Sequence, residues 1–252
     1  MNRLTFAAIV VFACTRVFAA DWPQWGGSDS RNFASDEKNI PASFSVGPRR
    51  LDGKFDLSAC RNIKWIARLG NQTYGNPTVA NGRVFVGTNG ELGSRVSAAD
   101  KMIREGGAVL CLDEGTGRQL WQLTIPRLMS NDKMFNFDNM SLGVCSSPTV
   151  DGDRVYLVSN RCDVLCLDAE TGRRRWTYDT QSPIWSSTFA ADGKVYLGTE
   201  RGELLVWAAA KEMKLLSKIA LDNRIYTTPI VANGVLYLTT RTHLYAIAAT
   251  GK

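Results

Sequence analysis

Four segments of the chain share one pattern, and this repetition constrains the fold more than any single motif. They are NPTVANGRVFVGT (76–88), SPTVDGDRVYLVS (147–159), STFAADGKVYLGT (187–199) and TPIVANGVLYLTT (228–240). Each joins a short strand to a longer one across Asn-Gly or Asp-Gly. That dipeptide is a strong hairpin signal, because both central residues of a type I′ turn need positive φ. The turn glycines, Gly82, Gly152, Gly193 and Gly234, are spaced by 70, 41 and 41 residues. The excess in the first interval lies in two stretches, about 90–107 and 127–143.

A third strand follows in every unit: AVLCLD (108–113), DVLCLD (163–168), ELLVWA (203–208) and HLYAIA (243–248). The first two units add a turn and a fourth strand, EGTGRQLWQL and AETGRRRWTY. Four antiparallel strands in about forty residues make one blade of a β-propeller. The third strands are apolar on both faces, as in a sheet wedged between two neighbours. Val164 and Cys166 point one way, Leu165 and Leu167 the other. The expected class is all-β, a propeller of four-stranded antiparallel blades with about four blades, either a small closed ring or an open arc.

The blade endings LCLDEGTGRQLW and LCLDAETGRRRW resemble the repeat of the pyrroloquinoline-quinone-like (PQQ-like) β-propeller family, which ends in Leu-Asp-x-x-Thr-Gly-x-x-x-Trp. Here the matching residues are Leu112, Asp113, Thr116, Gly117 and Trp121, then Leu167, Asp168, Thr171, Gly172 and Trp176. Ser-Pro-Thr-Val at 147–150 is similar to the same repeat, and DWPQWGG (21–27) resembles the start of secreted bacterial members. Asp and Thr are expected to satisfy the turn backbone, Gly to supply the permissive φ, and Trp to fill the space between blades. The third unit departs from the pattern after Val206-Trp207-Ala208.

Three regions are expected: a signal peptide (1–20), an N-terminal extension packing on the propeller (21–61), and the repeats (62–252). Residues 62–70, NIKWIARLG, carry Trp65 with no three strands before them, while the last unit stops after its third strand. The simplest expectation is that residues 63–69 supply that fourth strand and staple the ring shut, covering two open edges.

Arg3, an apolar run from Leu4 to Ala13, and Val17-Phe18-Ala19 make an export signal too short to span a bilayer. The alternative is a lipoprotein acylated at Cys14, giving a membrane-anchored protein. No later segment is long and apolar enough for a transmembrane helix. The expected location is therefore periplasmic or secreted. The formal charge is +6, with no basic tract interleaved with aromatics, so nucleic acid is not an expected partner. Arg173, Arg174 and Arg175 alternate faces on a strand and read as a solvated edge.

Six cysteines are present, and five remain without Cys14, so a fully paired disulfide framework is not expected. Cys162 and Cys166 are separated by three residues; a turn between them would be needed for a bridge. Cys111 and Cys166 sit at equivalent blade positions and read as packing residues. The chain has one histidine, His243, through which any Ser-His-Asp triad, Cys-His pair or histidine-rich metal site would have to pass. A structural or surface role is expected for it. Asp151-Gly152-Asp153 reads as a hairpin turn like its equivalents, and not as a calcium loop, which needs six or more oxygens.

No catalytic, cofactor-binding or metal-binding residue is therefore singled out. The two insertions, 91–107 and 127–140, are the candidate functional elements, because long loops on rigid scaffolds carry binding. Met134, Phe135 and Phe137 form a candidate partner-binding anchor, unless that loop caps the propeller. The expected function is a non-catalytic binding scaffold of the cell envelope, with a protein or an extracellular polymer as partner. The propeller lipoproteins of outer-membrane β-barrel assembly offer the nearest analogy, at the level of the fold. What the resemblance implies as the alternative is a PQQ-dependent dehydrogenase with PQQ and Ca²⁺ on the ring axis, over a disulfide between adjacent cysteines. No two cysteines are adjacent here.

Overall fold

The computed structural model describes residues 21–90, 106–128 and 142–249. The expected export signal, Cys14 and the candidate anchor Met134, Phe135 and Phe137 lie outside the described residues. Four antiparallel sheets follow one another as blades. Blade 1 holds β1 (Thr78–Ala80), β2 (Arg83–Asn89), β3 (Gly107–Asp113) and β4 (Gln119–Ile125). Blade 2 holds β5 (Thr149–Asp151), β6 (Arg154–Val158), β7 (Asp163–Asp168) and β8 (Arg174–Asp179). Blade 3 holds β9 (Phe189–Ala191), β10 (Lys194–Gly198), β11 (Glu203–Ala208) and β12 (Leu215–Ala220). Blade 4 has three strands, β13 (Ile230–Ala232), β14 (Val235–Thr239) and β15 (Leu244–Ala248).

Three of the inner hairpins close as expected, with positive φ at both Asn81 and Gly82, Asp192 and Gly193, and Asn233 and Gly234. The second differs by one residue. Asp151 pairs with Arg154, so the turn residues are Gly152 and Asp153, and only Gly152 has positive φ. A lone positive φ at the first central residue is the pattern of a type II′ turn, which takes Gly there. Aligning the glycines therefore misplaced this unit by one position. Both flanking carboxylates are held by cations: Asp151 by Arg154 at 2.8 Å, Asp153 by Arg175 and Lys211, each at 3.1 Å.

The core lies between blades. Phe85, Val109 and Cys111 of blade 1 pack on Val155, Leu157, Leu165 and Leu167 of blade 2. Tyr156, Val164, Cys166 and Trp176 of blade 2 pack on Val195, Leu197, Leu205 and Trp207 of blade 3. The third strands of blades 1 to 3 are thus buried on both faces because each side faces a different neighbour, while β15 of blade 4 is largely exposed. Cys111 and Cys166 are fully buried, and no disulfide forms among the described cysteines, Cys162 and Cys166 included. Burial pushes the Cys111 and Cys166 thiols up to about 12, so they serve as packing.

The blade endings follow one geometry. The Asp113 carboxylate accepts from the Thr116 N–H at 2.8 Å and from its hydroxyl at 2.6 Å. Asp168 does the same with Thr171, both at 2.8 Å, and its second oxygen takes Arg175 at 2.6 Å. Arg173 and Arg174 are exposed, so one arginine of the run is a structural partner and two are solvated. Gly117 and Gly172 both have φ +70. They also form a floor for the preceding blade's tryptophan. A Cβ at Gly117 would lie 2.5 Å from the Trp65 ring, and one at Gly172 2.6 Å from the Trp121 ring. The indole N–H groups complete the contact: Trp65 donates to the Glu114 carbonyl, Trp121 to Ala169 and Trp176 to Ala210, at 2.9, 3.1 and 3.2 Å.

Trp65 therefore stands where a fourth strand of a blade preceding blade 1 would place its tryptophan. Trp65, Ala67 and Leu69 pack on the Val84–Leu110 face of blade 1. The expectation that residues 63–69 staple the ring shut by completing blade 4 is corrected here. Among the described residues this segment makes no backbone hydrogen bond to β15, and β15 pairs only with β14. The four blades form an open arc.

Candidate binding face

The two ends of the blades differ in what they carry. The turns between the first and second strands of each blade and the Asp-x-x-Thr-Gly turns lie at one end, as the bonds of Glu114 to Gly82 and Ala169 to Asp153 show. There the axis is occupied by the N-terminal segment. Trp22 exchanges two backbone hydrogen bonds with Val79, both 2.8 Å. The Val150 N–H donates to Pro23, the Ala190 N–H to the Gln24 side chain, and the Val231 N–H to Asp29, at 2.7, 3.3 and 3.0 Å. Val79, Val150, Ala190 and Val231 are one register position in four blades, each next to last in its inner strand. Arg31 fastens the plug further. Its guanidinium donates to the Trp25 carbonyl and, at 3.0 Å, to that of Thr188, and lies 5.0 Å from the Phe189 ring centroid. Burial pulls its pKa down to about 10.

At the opposite end the chain enters each inner strand, and a second ladder runs between blades. The Asn76 N–H donates to the Ser147 hydroxyl, Ser147 N–H to Ser187, and Ser187 N–H to Thr228, at 2.9, 3.0 and 3.0 Å. Two residues before each rung stand Tyr74, Cys145, Trp185 and Tyr226, at one register position in all four blades. Tyr74 is 60% and Trp185 57% exposed, and Cys145 is also exposed. Trp185 donates to Glu200 at 2.7 Å and meets the Tyr226 ring edge-on at 6.1 Å. Arg224 pairs with Glu200 at 2.9 Å and reaches the Tyr226 hydroxyl at 3.3 Å. Beside Trp185 a pocket of about 220 Å³ is lined by Leu142, Cys145, Val158, Ile184 and Trp185.

β2 runs away from the turn end and β3 returns to it, so the described residues Asn89 and Gly107, which flank the first insertion, lie at this end, as do the end of β4 at Ile125 and the start of β5 at Thr149. Sequence reasoning located the insertions and missed the aromatic arc. The signal that could have found it is three bulky aromatics at a fixed distance before the inner strands.

His243 lies at the same end, in the exposed turn just before β15, where its Nδ1 is 2.7 Å from Asp222 and 2.9 Å from the Thr242 hydroxyl. Asp222 also accepts from Tyr245 at 2.6 Å, which makes this a surface network bracing blade 4. Among the described residues no three His, Cys, Asp or Glu side chains gather as metal donors, and Asp151 and Asp153 are neutralised by arginine and lysine.

The family model described as "Outer membrane protein assembly factor BamB" matches residues 105–214. The chain is 30% identical over 146 residues to the outer membrane protein assembly factor BamB of Yersinia pestis, covering 56% of this chain and 35% of that protein. The crystal structure of BamB from Moraxella catarrhalis superposes with a TM-score of 0.52 at 17% identity, over 82% of this chain and 52% of that one. The quinohemoprotein alcohol dehydrogenase ADHIIG of Pseudomonas putida HK5 superposes with a TM-score of 0.56 at 15% identity, over 87% of this chain and 34% of that one. The chain thus spans about a third to a half of these relatives. Both superpositions speak for the fold alone. The repeated blade endings, the blade topology and these matches together support a PQQ-like repeat β-propeller, with the family match itself confined to residues 105–214.

Proposed function

We propose that this chain is a non-catalytic binding scaffold of the bacterial cell envelope, and that its strand-entry face receives a protein of outer-membrane assembly. The observation that carries the reading is the exposed arc of Tyr74, Trp185 and Tyr226 on the strand-entry face. Exposed aromatics that are rigidly seated and flanked by a charged pair are the anchors that protein interfaces use. The match to an assembly-factor family points to the class of partner.

The test is capture from envelope extract by the purified chain, with partners identified by mass spectrometry. Trp185→Ala, and a chain lacking residues 129–141, should each lose the captured assembly component. Equal capture by all three would refute the assignment of this face. The dehydrogenase alternative is tested on the same protein by adding PQQ with Ca²⁺ and following dye-linked alcohol oxidation. Turnover would overturn the scaffold reading.

A further inference from the structure

Blade 2 departs from its neighbours at two positions of the strand-entry end, and both departures are cysteines. Tyr74, Trp185 and Tyr226 stand four residues before the inner strands of blades 1, 3 and 4; blade 2 has Cys145 there. The second position lies in the turn between the second and third strands. In blade 3 the Thr199 N–H donates to the Glu203 carbonyl and the Gly202 N–H to that of Thr199, at 2.9 and 3.0 Å. In blade 2 the Ser159 N–H donates to Asp163 and the Cys162 N–H to Ser159, at 2.8 and 3.0 Å. The turns are the same, and Cys162 stands where blade 3 has Gly202. Gly202 has φ +82 and Cys162 φ +59, a left-handed conformation that is costly for a residue with a Cβ. Glycine would hold this turn without that cost, so the thiol is what the position gains.

The two departures meet in space. Cys145 and Cys162 both line the pocket of about 220 Å³ beside Trp185. Continuing the Thr149–Tyr156 register sets Cys145 opposite Asn160, two residues before Cys162 in the same turn. Blade 3 shows that a side chain at this position reaches the turn: there the equivalent residues are Trp185 and Glu200, joined by a 2.7 Å hydrogen bond. Residues 142–148 belong to no strand, so Cys145 can approach the turn without breaking a sheet ladder. The other described cysteines are placed differently. Cys111 and Cys166 are buried in the blade junctions, and the Cys60 sulfur accepts from the Gly47 N–H at 3.1 Å in the N-terminal segment.

We propose that Cys145 and Cys162 are a thiol pair that closes to a disulfide under oxidising conditions, fastening the entry of β5 to the turn after β6. Cys145, the exposed member, reacts first. Its thiolate bonds to one sulfur of a small disulfide RSSR and expels RS⁻. The Cys162 thiolate then attacks the Cys145 sulfur and expels the second RS⁻. The two thiol protons end on the two RSH, and the protein loses two electrons as RSSR gains them. The bridge replaces the aromatic side chain of the other blades with a covalent tie, and it restricts the unfolded chain between the two residues.

The test uses the 252-residue chain, reduced and then incubated with oxidised glutathione at pH 8. Alkylation under denaturing conditions and peptide mapping by mass spectrometry should find Cys145 joined to Cys162, with Cys60, Cys111 and Cys166 alkylated. Cys162→Ser removes the second attacker and should stop at a glutathione adduct on Cys145. The bridged chain should unfold at a higher urea concentration than the reduced chain, and Cys145→Ser should abolish that difference. A lasting adduct on the unsubstituted chain, thiols that all remain open to alkylation, or a bridge between any other two cysteines would overturn the proposal. An unchanged urea midpoint in the bridged chain would refute the fastening.

Discussion

Gly172→Ala isolates the contact that joins one blade to the next. Two costs act at this position. The backbone φ of +70 is a left-handed conformation, which costs an L-residue roughly 1–2 kcal/mol. The new Cβ would lie 2.6 Å from the Trp121 ring, well inside van der Waals contact, and overpacking of this kind costs about 1–3 kcal/mol. Together the loss is ~2–5 kcal/mol. Gly193→Ala is the matched control, since Gly193 has φ +65 and nothing within 4 Å of the added Cβ. It should lose only the backbone part, and the entropy that alanine removes from the unfolded chain offsets both variants alike. Urea unfolding followed by tryptophan fluorescence measures both. In a Trp121→Ala background the gap between the two glycine variants should close, because the ring that the Cβ strikes is gone. Equal losses for Gly172→Ala and Gly193→Ala would refute the view that the glycine is a floor for the indole.

Three further outcomes follow from the described geometry. The Asp168 carboxyl is held below the usual range by the Thr171 N–H, the Thr171 hydroxyl and Arg175; its stabilisation is full above the unfolded value near 3.9 and is lost as pH falls through the folded value. Asp168→Asn should therefore lower the urea midpoint at pH 7 and flatten its fall between about pH 4 and pH 2. With a thiol reagent at pH 8, Cys145 should react first, while Cys111 and Cys166, pushed up to about 12, should react only on unfolding. Arg31→Met removes the guanidinium donor from the Trp25 carbonyl and one of two donors from the Thr188 carbonyl, and should cost ~1–3 kcal/mol in chemical denaturation.

The blades were legible because their signals are local. Asn-Gly and Asp-Gly turns and two-faced apolar strands name a blade without reference to distant residues. The role of Gly172 was half visible: its φ could be inferred from the turn, but the Trp121 ring above it comes from another blade. The one-residue shift in blade 2 was hidden because Gly152 fits either place in the hairpin, and only the pairing of Asp151 with Arg154 decides. The third unit's missing ending has its reason in three dimensions. Ser217 stands where Trp is expected, and Trp207 instead stacks at 6.3 Å on Trp176 across the junction of blades 2 and 3. The tyrosine-tryptophan arc was overlooked because its members are scattered in sequence and share only a register position.

The N-terminal plug also dictates an order of events. Trp22 can bond Val79 once blade 1 exists, but Asp29 must wait for Val231 in blade 4. The residues made first are therefore the last to find all their partners. Contacts that span most of the chain make folding slow, since loop closure precedes any reward. A nascent chain with one, two or three blades leaves the Asp29 carbonyl without the Val231 N–H, so the plug gains its full set of bonds only when the fourth blade has formed.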